Sequence, residues 1–276
     1  TFFSNYLIDP IVTIVDVSAQ GTLTNVTARN NFTHLTIQDS GTINKTSLVL
    51  YMPFDTNTST TIAYDYSNYS NNGSIVGAYL VNDGWFTNSY NFTGSDFITL
   101  DNDVVTGFSR ITVSAFVKSE VADSSSLRLI LNQNGAGSDT LILSRLNTER
   151  FEFTVKNDSQ TSVTATSGTI YQDTNWHHVV GTYNGSEIDI YIDGVDDDST
   201  ANALTGIIEV TPGSDLTIGA TSSGWTGLID EVMILTNITL SASQIKDLNG
   251  SIANRFFTRG EQIIKNNNVS GNGFEN

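Results

Sequence analysis

Asp230 lies in an apolar stretch, Gly-Leu-Ile-Asp-Glu-Val-Met-Ile-Leu, that ends at Leu235. Read as a strand, alternation places Leu228, Asp230, Val232 and Ile234 on one face, so a carboxylate is expected on the buried side. A buried charge costs several kcal/mol unless it is paired or binds a metal, and no Lys or Arg stands near Asp230 in the sequence. Further oxygen ligands are available in the segment Asp65 to Gly73, Asp-Tyr-Ser-Asn-Tyr-Ser-Asn-Asn-Gly. Calcium takes about 6 to 8 oxygens from carboxylates, amide side chains and backbone carbonyls, and such a loop can supply them. The competing account has Asp230 accepting backbone hydrogen bonds at the start of its strand.

Other groups carry chemistry less well. Glu187, Asp189 and Asp193 share one face of a strand by alternation, which is also what a solvated strand face looks like. His177 and His178 are adjacent, point to opposite faces, and so cannot bind one metal as a pair. With three His, no Cys and no Gly-x-Ser-x-Gly, neither a zinc site nor a nucleophilic triad has its parts. Trp225, Trp85 and Tyr69, with Tyr64 and Tyr66, are candidates to stack on sugar rings, since aromatic faces suit the apolar side of a pyranose. Trp225, between Gly224 and Gly227, is expected to be exposed. Asn-x-Ser/Thr occurs at Asn25, Asn31, Asn44, Asn57, Asn68, Asn72, Asn91, Asn157, Asn184, Asn237, Asn249 and Asn268. That is about twice the number expected by chance, and it predicts an exported, N-glycosylated chain.

The elements that must position these groups are strands. The stretch Trp176 to Val195 reads as a mid-sheet hairpin around an Asn184-Gly185 turn, with Ile188, Ile190 and Ile192 inward and Asp189, Tyr191 and Asp193 outward. Ile111 to Lys118 is a central strand with Ile111, Val113, Ala115 and Val117 on one face and Phe116 on the other. Short strands separated by Gly, Asn and Ser give an all-β cadence. One helix is predicted, Ser241 to Leu248, with a Ser241/Gln244 capping box and Leu240, Ile245 and Leu248 on its apolar side. The 276 residues allow one large β-sandwich domain with extensions. A net charge of −17 with 12 Lys and Arg argues against nucleic acid or anionic membrane as partners and favours cations. No run is long enough to span a membrane.

The Trp-His opening, Tyr-Asn-Gly-Ser turn and Tyr-Ile-Asp-Gly close of the hairpin resemble the laminin-G-like, concanavalin-A-like jelly-roll domains. Leu-Val-Leu-Tyr-Met-Pro-Phe-Asp from Leu48, the Asp65 to Gly77 loop, Asn91 to Leu100, Leu216 to Ala220 and Gly224 to Leu235 are similar to further family segments in the same order. In the loop, Asp65, Ser67, Asn71 and Gly73 match the family pattern and Asn68, Tyr69 and Ser70 depart from it. The resemblance implies a jelly-roll sandwich over residues 48–248, and a structural calcium ion held by Asp65, Asn71, Gly73 through its carbonyl, and Asp230, with Asp55 and Glu231 as weaker candidates. Glu187, Ile188 and Asp189 also resemble the Glu-x-Asp-x-Glu strand of family 16 glycoside hydrolases, but the third acid, Asp193, comes too late for that signature.

Residues 1–47 and 249–276 flank this domain as β-rich arms. The first residues, Thr-Phe-Phe-Ser-Asn-Tyr-Leu, are expected to be the start of a processed chain or the outer end of a span, and both ends look cut from something larger. Each arm holds strands too few to fold alone, so it must add either to its own sandwich or to a neighbouring molecule, and strand addition between molecules is the sharper expectation. The expectation is a non-enzymatic extracellular adhesive or structural protein of a microbial surface, self-assembling through its arms into filaments or layers. The alternatives are a calcium-dependent lectin module and, third, a glycoside hydrolase.

Overall fold

The computed structural model describes residues 11–17, 23–29, 34–37, 41–44, 46–55, 59–100, 104–122, 126–135, 138–198, 202–209, 215–250 and 255–258; within strands before residue 46, at 134–139 and at 255–258, only the backbone is described. In chain order the first strands are β1 (Ile11–Val17), β2 (Leu23–Arg29), β3 (His34–Ile37) and β4 (Gly41–Asn44). The body contains β5 (Leu48–Met52), β6 (Ile62–Ala63), β7 (Gly73–Val76), β8 (Tyr79–Val81), β9 (Ser89–Thr93), β10 (Phe97–Leu100) and β11 (Ile111–Ser119). It continues through β12 (Arg128–Gly135), β13 (Ser138–Arg145), β14 (Phe151–Lys156), β15 (Ser162–Thr166), β16 (Trp176–Tyr183) and β17 (Glu187–Ile192). Last come β18 (Val195–Asp196), β19 (Asn202–Ala203), β20 (Asp215–Gly219), β21 (Thr226–Thr236), the helix α1 (Ala242–Asn249) and β22 (Arg255–Thr258).

Two antiparallel sheets form the sandwich. The front sheet has the order β15-β14-β13-β12-β20-β10-β7-β6, and the back sheet β18-β17-β16-β11-β21-β9-β8, with β19 on β17 and β5 on β21. Between them lies one apolar core, to which Ile111, Val113, Ala115 and Val117 of β11, Ile188, Ile190 and Ile192 of β17, and Phe151, Phe153 and Val155 of β14 contribute. The faces predicted for β11 and β17 are therefore the ones found. The outer face of the front sheet carries a registered row, Ser74, Thr99, Thr217, Asn132, Ile142, Thr154 and Thr164, polar except at Ile142, as expected where one side of an antiparallel sheet meets water.

The outer face of the back sheet is covered instead. Helix α1 begins at Ser241, whose side chain accepts from the Gln244 amide while Gln244 caps in return. Its Ile245 and Leu248, with Leu240, pack on Tyr51, Val180, Tyr191, Met233 and Leu235 in a second apolar cluster. Tyr191, expected to face water, is buried by this helix.

Three local readings change. The hairpin ladder closes at Tyr183 opposite Ile188, the Asn184 N–H donates to the Glu187 carbonyl at 3.1 Å, and Gly185 has φ +94°. The turn is thus centred on Gly185 and Ser186 rather than on Asn184 and Gly185, with Gly supplying the positive φ at the first central position. The hairpin's β16 is internal, whereas β17 lies next to the short strands β18 and β19 at the sheet edge.

The second change lies in β21. Its pairing with β11 slips between Ser114 and Phe116, and Glu231 there has φ +51°, a β-bulge that inserts one residue and resets the alternation. Ile229, Val232 and Ile234 face the core, while Asp230, opposite Phe116, points to the outer face. Asp230 therefore does not share a face with Val232 and Ile234. It is buried nonetheless, by a loop described below.

The third concerns the arms. β1 pairs with β2, and β3 pairs with both β4 and β22, so the two arms join in one small sheet within the chain. The expectation that these strands lack an intramolecular partner is corrected for β3 and β22.

Candidate functional site

The Asp65 loop is organised by its carboxylate. Oδ1 accepts from the N–H groups of Tyr51 at 2.9 Å and Ser67 at 2.8 Å, and Oδ2 from the Ser67 hydroxyl at 2.6 Å and the Asn71 N–H at 2.8 Å. Asn71 Nδ2 donates to the Val49 carbonyl at 2.8 Å, and Gly73 lies in the ladder between β6 and β10. A Cβ on Gly73 would lie 2.3 Å from Ile98 Cγ2, so this glycine is fixed by close packing. Four donors fill the Asp65 lone-pair positions. Of the expected calcium ligands, Asp65 and Asn71 hold their own loop to β5, and Asp230 accepts from a different loop.

That loop is residues 82–88. The Phe86 N–H donates to Asp230 Oδ2 at 3.1 Å and the Glu231 N–H to Asp230 Oδ1 at 2.8 Å. Thr87 Oγ1 donates to Asp55 Oδ1 at 2.5 Å, and Asn88 Nδ2 to the Asp55 carbonyl. Asp230 is fully buried. Burial first, then the Glu231 charge and, more weakly, that of Asp55, holds its carboxyl well above the usual range. The Tyr51 hydroxyl donates to Glu231 Oε2 at 2.9 Å. Among the described residues no three His, Cys, Asp or Glu side chains gather into a metal-binding group. Asp55 and Asp230 both accept hydrogen bonds from this loop, and both are among the residues named from the sequence, Asp55 as a weaker candidate.

The same loop carries Trp85. Its indole stacks on Phe116 at 4.8 Å and 18°, Phe116 stacks on the His178 imidazole at 4.2 Å and 12°, and His178 Nε2 is bonded to Ser114 Oγ at 2.8 Å. Phe116 and His178 are buried, yet Trp85 at the top of the column is 39% exposed. One indole face rests on Phe116, and the residue stays more than a third exposed in spite of that stack. Two residues along β11 on this face stands Lys118, whose Nζ pairs with Asp83 Oδ2 at 3.0 Å, and directly across the ladder from Lys118 is the half-buried Trp176. A rigid aromatic platform with an ammonium and a carboxylate at its edge can stack on a ring and hydrogen-bond its substituents.

Of the predicted sugar-stacking residues, only Trp85 sits on such a platform. Trp225 is 1% exposed and its Nε1 donates to the Leu228 carbonyl at 3.1 Å, so its flanking glycines mark tight packing, not exposure. Tyr69 is exposed, with its hydroxyl on the Thr46 carbonyl at 2.9 Å. Lys118 and Trp176 were not read from the sequence as site residues. The available signal was the i, i+2 spacing of Phe116 with Lys118 and of Trp176 with His178 on neighbouring strands, which acquires meaning only once the register is known.

Glu187 is exposed. Asp189, half-buried, has its pKa pushed up to about 6 by desolvation and then by the charges of Glu187, Asp196 and Asp198. Asp193 binds the His178 N–H at 2.9 Å and His177 Nδ1 at 2.8 Å, which commits it to the turn. His177 also binds Asp173 through Nε2 at 3.0 Å. Among the sequons, Asn68, Asn72 and Asn237 are exposed. By contrast, Asn157 and Asn249 donate Nδ2 to the carbonyls of Thr205 and Asp193, each at 2.8 Å, and Asn91 Oδ1 is buried. Asn184 accepts from Ser186 and Glu187 in the hairpin turn. The side chains of Asn25, Asn31, Asn44, Asn57 and Asn268 lie outside the described residues.

Comparison with known proteins places this geometry in a family. No curated protein matches the sequence. Among solved structures, domain 4 of AbnA, a GH43 extracellular arabinanase from Geobacillus stearothermophilus in complex with arabinotriose, is similar with a TM-score of 0.58 and 18% identity, over 74% of this chain and 98% of that one. The receptor binding domain of botulinum neurotoxin D is similar with a TM-score of 0.57 and 16% identity, over 74% of this chain and 52% of that one. The binding domain of Paraclostridial Mosquitocidal Protein 1 gives 0.52 and 14%, over 76% and 53%. The chain thus spans about half the length of these toxin domains, and at such identities the likeness is one of fold. A family model for the concanavalin A-like lectin/glucanases superfamily matches residues 92–246, more than half of the sequence, and the chain belongs to that superfamily.

Proposed function

We propose that this chain is a non-catalytic carbohydrate-binding domain whose site is the Trp85 platform on the outer face of the back sheet. The observation that carries the proposal is the supported yet part-exposed indole: Trp85 stands on the Phe116–His178–Ser114 column, is 39% exposed, and lies on the same strand face as the Lys118–Asp83 pair. An aromatic side chain immobilised on one face loses little entropy when a sugar stacks on the other. A solved relative in complex with arabinotriose supports the same direction. The non-catalytic reading is supported by Asp193, the third acid of the candidate array, which is bonded to His177 and His178.

We place this function outside the cell, where the exposed Asn68, Asn72 and Asn237 would accept glycans. Adhesion at a microbial surface would follow from sugar binding. Assembly through terminal strands has less to draw on, because β3 and β22 already pair with each other. If a calcium ion contributes, Asp55 and Asp230 are the carboxylates that would hold it, and its charge would offset their mutual repulsion under the Trp85 loop.

The test is a broad glycan array probed with the full chain and with Trp85→Ala. Binding by the wild type that falls at least tenfold in the variant, with an unchanged thermal midpoint, is the expected result. Equal binding by the variant would remove the site from Trp85.

A further inference from the structure

Resting on the carbohydrate-binding reading, the ligand class can be narrowed from the charges around Trp85. We infer that the platform takes neutral glycans and discriminates against those bearing carboxylates, with Lys118 and Asp83 gripping neighbouring hydroxyl groups of one sugar residue.

The local charge is balanced. Lys118 Nζ lies 3.0 Å from Asp83 Oδ2, so this cation at the platform already has its counter-charge. Both side chains remain open to solvent, at 32% and 58%. The ammonium keeps N–H donors and the carboxylate keeps acceptor positions beyond their mutual contact. A donor and an acceptor held side by side match a pair of adjacent sugar hydroxyls, each of which donates and accepts. A glycan carboxylate would have to compete with Asp83 for Lys118 and would then leave two anions beside one cation.

The rest of the molecule pushes the same way. A chain of net charge −17 repels anionic ligands over a Debye length of about 8 Å at physiological salt. Asp230 and Glu231, beneath the loop that carries Trp85, add no positive potential to offset this.

Geometry gives the grip its scale. Phe116, which supports Trp85, and Lys118 are two residues apart on β11, about 7 Å at strand rise, the breadth of one sugar ring with its substituents. Trp176 pairs with Lys118 across the ladder and faces the same side as His178, so it borders the platform beyond the ammonium. A ring stacked on Trp85 thus brings its edge to the Lys118–Asp83 pair.

The experiment is isothermal titration of the full chain with two oligosaccharide sets, one neutral (arabinan, xylan, galactan and mannan fragments) and one acidic (oligogalacturonates and sialyl-lactose), at 50 and 500 mM NaCl. Binding confined to neutral members, changing less than twofold with salt, and weakened at least tenfold by Lys118→Met and by Asp83→Ala, is the result expected. Both side chains are exposed enough that the thermal midpoints of the variants should match the wild type. Tighter binding of an acidic sugar, weakening with salt, would overturn the neutral assignment and leave the carbohydrate reading standing. Neutral binding unaffected by either variant would overturn the assigned grip. No binding by either set would sink the carbohydrate reading and this inference with it.

Discussion

Asp65 is 8% exposed and gathers three backbone N–H groups and one hydroxyl onto its two oxygens. Removing the acceptor leaves buried donors unsatisfied, a cost of about 1–3 kcal/mol for such groups. We predict that Asp65→Ala lowers unfolding free energy in urea by about 3 kcal/mol, and by the same amount with calcium or with chelator. Were calcium held by Asp55 and Asp230, its addition would raise the thermal midpoint of the wild type and of Asp65→Ala alike, and Asp55→Asn would abolish the rise. The position of Asp65 was legible in the sequence because its loop has the family's spacing; its role was not, because which N–H groups converge on a carboxylate depends on the fold of β5 beside it. Trp225 failed for a similar reason. Flanking glycines signal close approach of the backbone as readily as exposure.

Elements were read from periodicity, and their faces held wherever the alternation ran unbroken, as in β11 and β17. It broke in β21 at the Glu231 bulge, where a non-glycine residue with positive φ leaves no mark in the hydropathy pattern. The segment before β16 and the turn after β17 are tied by His177, bonded to Asp193 and Asp173 through its two ring nitrogens. Burial alone would lower the His177 pKa, but hydrogen bonds and charges from Asp193 and Asp173 outweigh it and the pKa is raised. The clamp's contribution is therefore fully present below the ordinary histidine pKa of about 6.5 and is lost as pH rises through the higher folded value. Asp173, whose pKa is lowered despite some burial by the Asn175 N–H, His177 and Arg145, contributes above the ordinary carboxylate range and loses this as pH falls through its folded value. Urea midpoints measured from pH 6 to 9 should decline in the wild type and stay flatter in His177→Gln. Parallel curves would refute the clamp.

At the scale of the whole molecule, the sandwich was legible because it rests on local signals repeated along the chain: short strands, turn residues and one capped helix. The site was only half legible. It is composed of Trp85 from an irregular loop, Phe116 and Lys118 from β11, and Trp176 and His178 from β16, and nothing local tells a sequence which loop folds over which strand. The arms show the same limit, since the pairing of β3 with β22 joins segments more than two hundred residues apart. The fold leaves one sheet face polar and open and covers the other with α1 and the Trp85 loop, and it is that covering loop which presents the aromatic platform.

The chain's three tryptophans permit one direct measurement: the indole Nε1–H resonances of Trp85, Trp176 and Trp225 followed by NMR during titration with a neutral oligosaccharide. Trp225, buried and bonded to the Leu228 carbonyl, serves as the internal control. A binding site on Trp85 predicts saturable shifts at Trp85, smaller ones at Trp176 and none at Trp225. Saturable binding that leaves the Trp85 resonance unmoved would contradict it.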